Sequence, residues 1–133
     1  MAMSDSHVTR EALADAVRAT PGLDLLMVFG SRARNDARPE SDWDFAYLAA
    51  GALDVAELIV TLVTALGTDR IDLVDLTRAG GLLRYRAARD GQVVFEAEPG
   101  MADRFRLEAV RFWCDAAPVL ERGYEDVLAD LTP

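Results

Sequence analysis

The run Leu23–Phe29, LDLLMVF, lies between Gly22 and Gly30 and is apolar everywhere except Asp24. It is too short for a buried helix and too continuous for a strand with one wet face. The run therefore predicts a central strand buried on both sides, with Asp24 at its exposed end. Whatever else the chain builds has to pack around that strand.

The flanking pattern alternates helices and strands. Thr9 to Ala19 reads as a helix, with Thr9 as N-cap, Leu13 and Val17 four apart on one face, and Pro21-Gly22 as its stop. Ser31 to about Asn35 predicts a short helix, and Asp36 to Ser41 a polar loop containing Pro39. Asp42 to Ala49 predicts a second strand. Its Trp43, Phe45, Tyr47, Ala49 face suits a core, leaving the acidic end of the Asp42, Asp44, Ala46, Leu48 face at a cleft. Leu53 to Leu66 reads as a helix with Asp54 in its first turn and Gly67 as a left-handed cap.

Arg70 to Leu76 predicts a third strand, with Asp72 and Asp75 on opposite faces. Thr77 is an N-cap candidate for a helix weakened at Gly80 and Gly81, continuing over Leu82 to Arg89 and ended by Gly91. Gln92 to Ala97 predicts a fourth strand. After Pro99-Gly100, Met101 to Leu131 is amphipathic, with Phe105, Phe112, Trp113, Leu120, Tyr124 and Leu128 near helical spacing and Pro118 expected to kink or split it. No repeat or low-complexity tract appears. The expectation is one α/β (α+β) domain over 1–133 on a small sheet, with its core at about 8–98 and a C-terminal helical segment at about 101–131.

Composition narrows the chemistry. Cys114 and His7 are each the sole residue of their kind, which leaves no cysteine zinc cluster and disfavours a His-dependent nucleophilic triad. Cys114 is expected to be a small buried apolar residue, and Arg84 and Arg86 a solvated helical face. A net charge of −9 disfavours nucleic-acid binding and suits a basic protein partner. Every one of the 14 basic residues is Arg, so any phosphate clamp here is a guanidinium. MAMSDSHVTR carries no apolar signal core and no stretch reaches membrane-spanning length, so the expected location is cytoplasmic.

Gly30-Ser31 closes the central run, ten residues intervene, and Asp42 and Asp44 follow. Gly30 permits a sharp turn with no side chain in the way of a phosphate, and Ser31 can cap a helix whose first N–H groups attract an anion. Asp42 and Asp44 project from one face of a strand, an oxygen donor pair suited to Mg²⁺. A phosphate cradle facing a metal-binding pair suits transfer of a phosphoryl or nucleotidyl group. A third carboxylate from Asp72 or Asp75 would complete such a site, and spacing alone leaves both open.

Gly30-Ser31, ten residues, then Asp42-x-Asp44 resembles the signature of the polymerase-β-type nucleotidyltransferases. The apolar run before it, the Ser-Arg-Ala-Arg continuation and the Glu-Ser-Asp approach resemble the minimal nucleotidyltransferase (MNT) branch. Arg70-Ile71-Asp72 matches that family's third aspartate, which points to Asp72. Leu82 to Tyr85, the Asp-Gly-Gln-Val-Val-Phe strand and the terminal helix resemble MNT antitoxins encoded beside HEPN-domain toxins, a likeness covering roughly Val8 to Leu131. Asn35 departs from a frequent Gly, and Trp43 from an aliphatic between the acids.

The resemblance implies a small mixed sheet flanked by helices and an enzyme moving AMP from ATP to a tyrosine of a HEPN-domain RNase toxin. Asp42, Asp44 and Asp72 would be catalytic and hold Mg²⁺, expected as two ions. Gly30 and Ser31 would bind the triphosphate, and Arg32 or Arg34 could contact phosphate. Two rivals remain: a binding-only antitoxin for a basic toxin, and transfer to a small molecule or an RNA end, of which the acidic balance disfavours RNA.

Overall fold

The computed structural model describes the backbone of residues 6–34 and 41–131, and side-chain surroundings for 10–30, 32–33 and 41–116. The elements run α1 (Ser6–Val17), β1 (Leu23–Phe29), α2 (Ser31–Arg34), β2 (Trp43–Ala49), α3 (Val55–Leu66), β3 (Ile71–Asp75), α4 (Gly81–Asp90), β4 (Gln92–Glu96) and α5 (Met101–Leu131). The strands form one mixed sheet in the order β3-β2-β1-β4. β1 is antiparallel to β2 and β4, while β3 runs parallel to β2.

β1 is interior and buried on both sides, as its apolar run predicts. Alternation sends Leu26 and Val28 into a core with Leu13 and Val17 of α1, Leu58 and Leu62 of α3, and Phe45 and Tyr47 of β2. Leu25 and Met27 point the other way, into a core with Ala46, Ala87 and Ala88 of α4, and Phe105 and Ala109 of α5. Leu25, Leu26 and Met27 have no exposed surface, and each contributes roughly 2 kcal/mol of burial. Two helical layers on one sheet are why the run does not alternate. Among the described residues no helix is long and apolar enough to cross a membrane.

Helix ends follow local chemistry. Asp54 caps α3 from outside, its carboxylate accepting the Glu57 N–H at 3.1 Å, so the helix starts at Val55 and not Leu53. Gly67 ends it in the left-handed region (φ 72°), its N–H donating to the Val63 carbonyl at 2.8 Å.

Several expectations are corrected. α1 begins at Ser6, which places Thr9 inside the helix and not at its cap. Thr77 lies in a turn with its N–H donated to Asp75 Oδ1 at 2.9 Å, and Gly80 takes the cap position of α4. Arg84 is not a solvated face: its guanidinium donates to the Leu76 carbonyl and lies 5.2 Å from the Phe105 ring. Cys114 is exposed, because it lies roughly half a helical revolution from the buried Phe105. Phe112 is also exposed, resting its ring edge against Gly81. α5 continues through Pro118 as one element. The expected loop at 36–41 falls almost wholly outside the described residues, as do the side chains of Leu120, Tyr124 and Leu128.

Candidate active site

Because β1 is antiparallel to β2 and β4, its C-terminal end meets the starts of β2, β3 and β4. Phe29 pairs with Asp44, Asp44 with Asp72, and Val28 with Gln92. Residues tens of positions apart in sequence therefore form one row across the sheet, about 4.8 Å from strand to strand. Ile71 and Leu73 pack toward α1 and α3, so Asp72 projects to the opposite face, the one Asp44 shares with Ala46. α4 and α5 pack on that face mainly over β1 and β4, leaving Leu48 and Val74 only half-buried. The acids thus stand on the less covered part of that face.

Gly30 meets this row directly. It has φ 74°, and a Cβ built on it would fall 2.5 Å from Asp44 Oδ2. Asp44 therefore occupies the volume a side chain at position 30 would need, so turn and acidic strand are in contact. Glycine is required twice, by the left-handed backbone and by the carboxylate. Gly30 also holds the cap position of α2, its carbonyl accepting the Ala33 N–H at 3.1 Å. Ser31, read from sequence as the cap, is instead the first helical residue, and its side chain lies outside the described residues.

Arg32 faces the other way. Its guanidinium lies 4.5 Å from the Trp43 ring centroid, and its Nη2 donates to the Ser41 carbonyl at 3.0 Å. Trp43 in turn stacks on Phe45 at 5.8 Å. The departure from an aliphatic between the two acids thus supplies a stacked brace joining α2 to the start of β2. Contact between Arg32 and a phosphate over Asp44 would require leaving that ring.

Asp75 pairs with Tyr47 and shares its face, away from Asp44. It accepts the Thr77 N–H and sits 3.9 Å from Arg78. Burial of Tyr47, then the adjacent Asp75 charge and their hydrogen bond, push the phenol above its ordinary value, against a smaller pull from Arg78. Asp75 is thus engaged in holding the far end of the β2–β3 pair.

The donor set suits a hard cation, since Asp44 and Asp72 offer carboxylate oxygens from adjacent strands and Asp42 precedes β2 in an exposed position. Asp44 is half-buried and Asp72 exposed. Among the described residues no three carboxylate, histidine or cysteine side chains are drawn together tightly enough to hold an ion. The residues fit the metal by chemistry and backbone placement.

Sequence reading missed one residue at this end. Gln92 Nε2 donates to the Ala33 carbonyl at 2.6 Å, tying α2 to β4 across 59 positions. No local signal marks it, because a glutamine opening a strand reads as an ordinary polar end.

The profile of a family described as Polymerase beta, Nucleotidyltransferase matches residues 11–99. The chain is similar to two curated proteins named Protein adenylyltransferase MntA. It is 36% identical to that of Aphanizomenon flos-aquae over 92 residues, covering 60% of this chain and 61% of the relative. It is 40% identical to that of Shewanella oneidensis over 113 residues, covering 83% and 80%. One similar solved structure, a toxin–antitoxin with AMP-PNP, has a TM-score of 0.74 at 27% identity, covering 90% of this chain and 98% of that one. Another, a tri-AMPylated Shewanella oneidensis HEPN toxin in complex with MNT antitoxin, has a TM-score of 0.70 at 25% identity, covering 93% and 99%.

Proposed function

The chain belongs to the polymerase beta nucleotidyltransferase family, and on that premise we propose that it is an Mg²⁺-dependent antitoxin that transfers AMP from ATP to a tyrosine of a HEPN-domain toxin. The observation that carries this reading is the cross-sheet row in which the Gly30 turn, Asp44 and Asp72 adjoin. The relatives' name, and the AMPylated toxin bound to a structurally similar antitoxin, support the acceptor class. The AMP-PNP bound in another similar complex supports ATP as donor.

On this reading the Gly30 turn admits the triphosphate, and the Ser31 backbone lies against it as the first turn of α2. Asp42, Asp44 and Asp72 would hold the Mg²⁺, which when bound would supply positive charge to offset that of the triphosphate. Asp72, at the open edge of the row, accepts the phenol proton as the tyrosine oxygen forms its bond to the α-phosphorus. Pyrophosphate leaves from the opposite side. The acceptor lies on another molecule on this reading, which the AMPylated toxin of a structurally similar complex supports.

The test mixes protein, ATP, Mg²⁺ and the cognate toxin and reads the toxin's mass. The expected result is a toxin heavier by one or more AMP groups, with Asp42→Asn plus Asp44→Asn leaving it unmodified. An unmodified toxin with the wild-type protein, or equal modification by the double variant, sinks the proposal. The net charge of −9 favours a second reading, neutralisation of a basic toxin by contact alone. In that case the double variant still protects cells and ATP has no effect.

A further inference from the structure

α2 is a single turn, Ser31–Arg34, far below the length at which a helix holds itself together in water. A phosphate-binding turn has to be held from outside if it is to keep its geometry before a nucleotide arrives. On one flank the brace already described, Arg32 on Trp43 and on the Ser41 carbonyl, ties it to β2. On the other flank stands Gln92. Ala33 is buried, and its carbonyl lies in the last turn of α2. Gln92 Nε2 donates to that carbonyl at 2.6 Å.

The backbone carrying Gln92 is itself anchored. Gly91 donates its N–H to the Ala87 carbonyl at 2.8 Å, and its carbonyl accepts from Arg106 Nη2 at 2.7 Å. α4 and α5 thus fix the point from which Gln92 reaches α2. β4 pairs with β1 at Val28↔Gln92, only two residues before the Gly30 turn departs. Of these contacts, the Gln92 bond joins the turn to the edge strand β4, on the other side of β1 from the acids.

We propose that Gln92 is a positioning residue for nucleotide binding: by holding the Ala33 carbonyl it keeps the Gly30–Arg34 turn in its triphosphate-accepting conformation without touching the nucleotide. This rests on the proposed function and deepens it. Gln92 acts on the site through α2, so its loss should weaken ATP binding more than turnover.

The experiment uses the full chain and three variants. Gln92→Leu and Gln92→Glu keep the approximate size and remove the donor, while Gln92→Lys restores a donor of sufficient reach. AMP-PNP with Mg²⁺ is titrated calorimetrically, thermal melting is recorded, and adenylyl transfer to the toxin gives kcat and KM for ATP. The expected result is a Kd for AMP-PNP and a KM for ATP raised roughly tenfold in Leu and Glu, with kcat within about threefold. Lys should recover most of the affinity. Unchanged affinity in Leu and Glu overturns the proposal, as does an affinity loss that tracks melting temperature across all three variants with no recovery in Lys. The Kd comparison stands without any transfer, so a wild-type protein that binds AMP-PNP but modifies no toxin overturns the proposed function and leaves this inference to be decided by the variants.

Discussion

Gly30→Ala is the substitution for which the structure supplies its own control. Gly30 and Gly67 have nearly the same left-handed backbone, φ 74° and 72°. At Gly67 a Cβ would meet nothing within 4 Å, whereas at Gly30 it would lie 2.5 Å from Asp44 Oδ2. Gly67→Ala therefore carries only the backbone penalty, about 1 kcal/mol, or about 4 °C in melting temperature for a chain of this size. Gly30→Ala carries the same penalty and an overlap. To reach an ordinary contact of 3.4 Å the Asp44 carboxylate has to withdraw by about 0.9 Å, leaving its rotamer at roughly 1 kcal/mol. The expected total is roughly 2 kcal/mol and about 8 °C. Function should separate the two variants further, because displacing a reacting group's anchor by about 1 Å lowers transfer roughly 100-fold. Thermal melting and AMP transfer to the toxin, run on both variants beside the wild type, read these effects. If Gly30→Ala transfers AMP at the rate of Gly67→Ala, the contact between turn and carboxylate has no bearing on the chemistry and the reasoning fails.

Two more predictions separate residues that the sequence leaves alike. Asp72→Asn should lower AMP transfer at least about 100-fold with little change in melting, because the side chain is exposed. Asp75→Asn should keep transfer and lower stability by about 1 kcal/mol, through its contacts with Tyr47 and Thr77. A reversed pattern would make Asp75 the third catalytic carboxylate. Tyr47 supplies a pH dependence. Its phenol titrates above the ordinary 10.0 in the folded protein, so the folded state keeps its proton longer than the unfolded chain does. That stability is fully present below pH 10 and is lost as pH rises through the folded value. Denaturant unfolding of Tyr47→Phe should accordingly show a shallower alkaline decline than the wild type, and an identical decline would contradict the assigned environment.

Much of the scaffold was legible because its signals are local. The bounds of β1 followed from an apolar run between glycines, and Gly67 as a left-handed cap from its place after a periodic segment. Readings failed where a distant partner decided the outcome. Arg84 looked solvated until Leu76 and Phe105 were placed around it, and Thr77 looked like a cap until Asp75 took its N–H. Residue type alone suggests a buried Cys114, but the phase of α5 about Phe105 turns it outward.

The candidate site divides in the same way. Residue order alone determined that a glycine-serine turn follows a buried strand and that an Asp-x-Asp pair opens the next, because both are legible within a few residues. It could not determine that Asp72 stands beside Asp44 while Asp75 stands beside Tyr47. It also could not show that Arg32 stacks on Trp43, or that Gln92 holds the Ala33 carbonyl. Those are matters of strand register and cross-sheet contact. Register is set when the buried face of each strand meets the core that the other elements build, a condition that no single stretch of the chain contains.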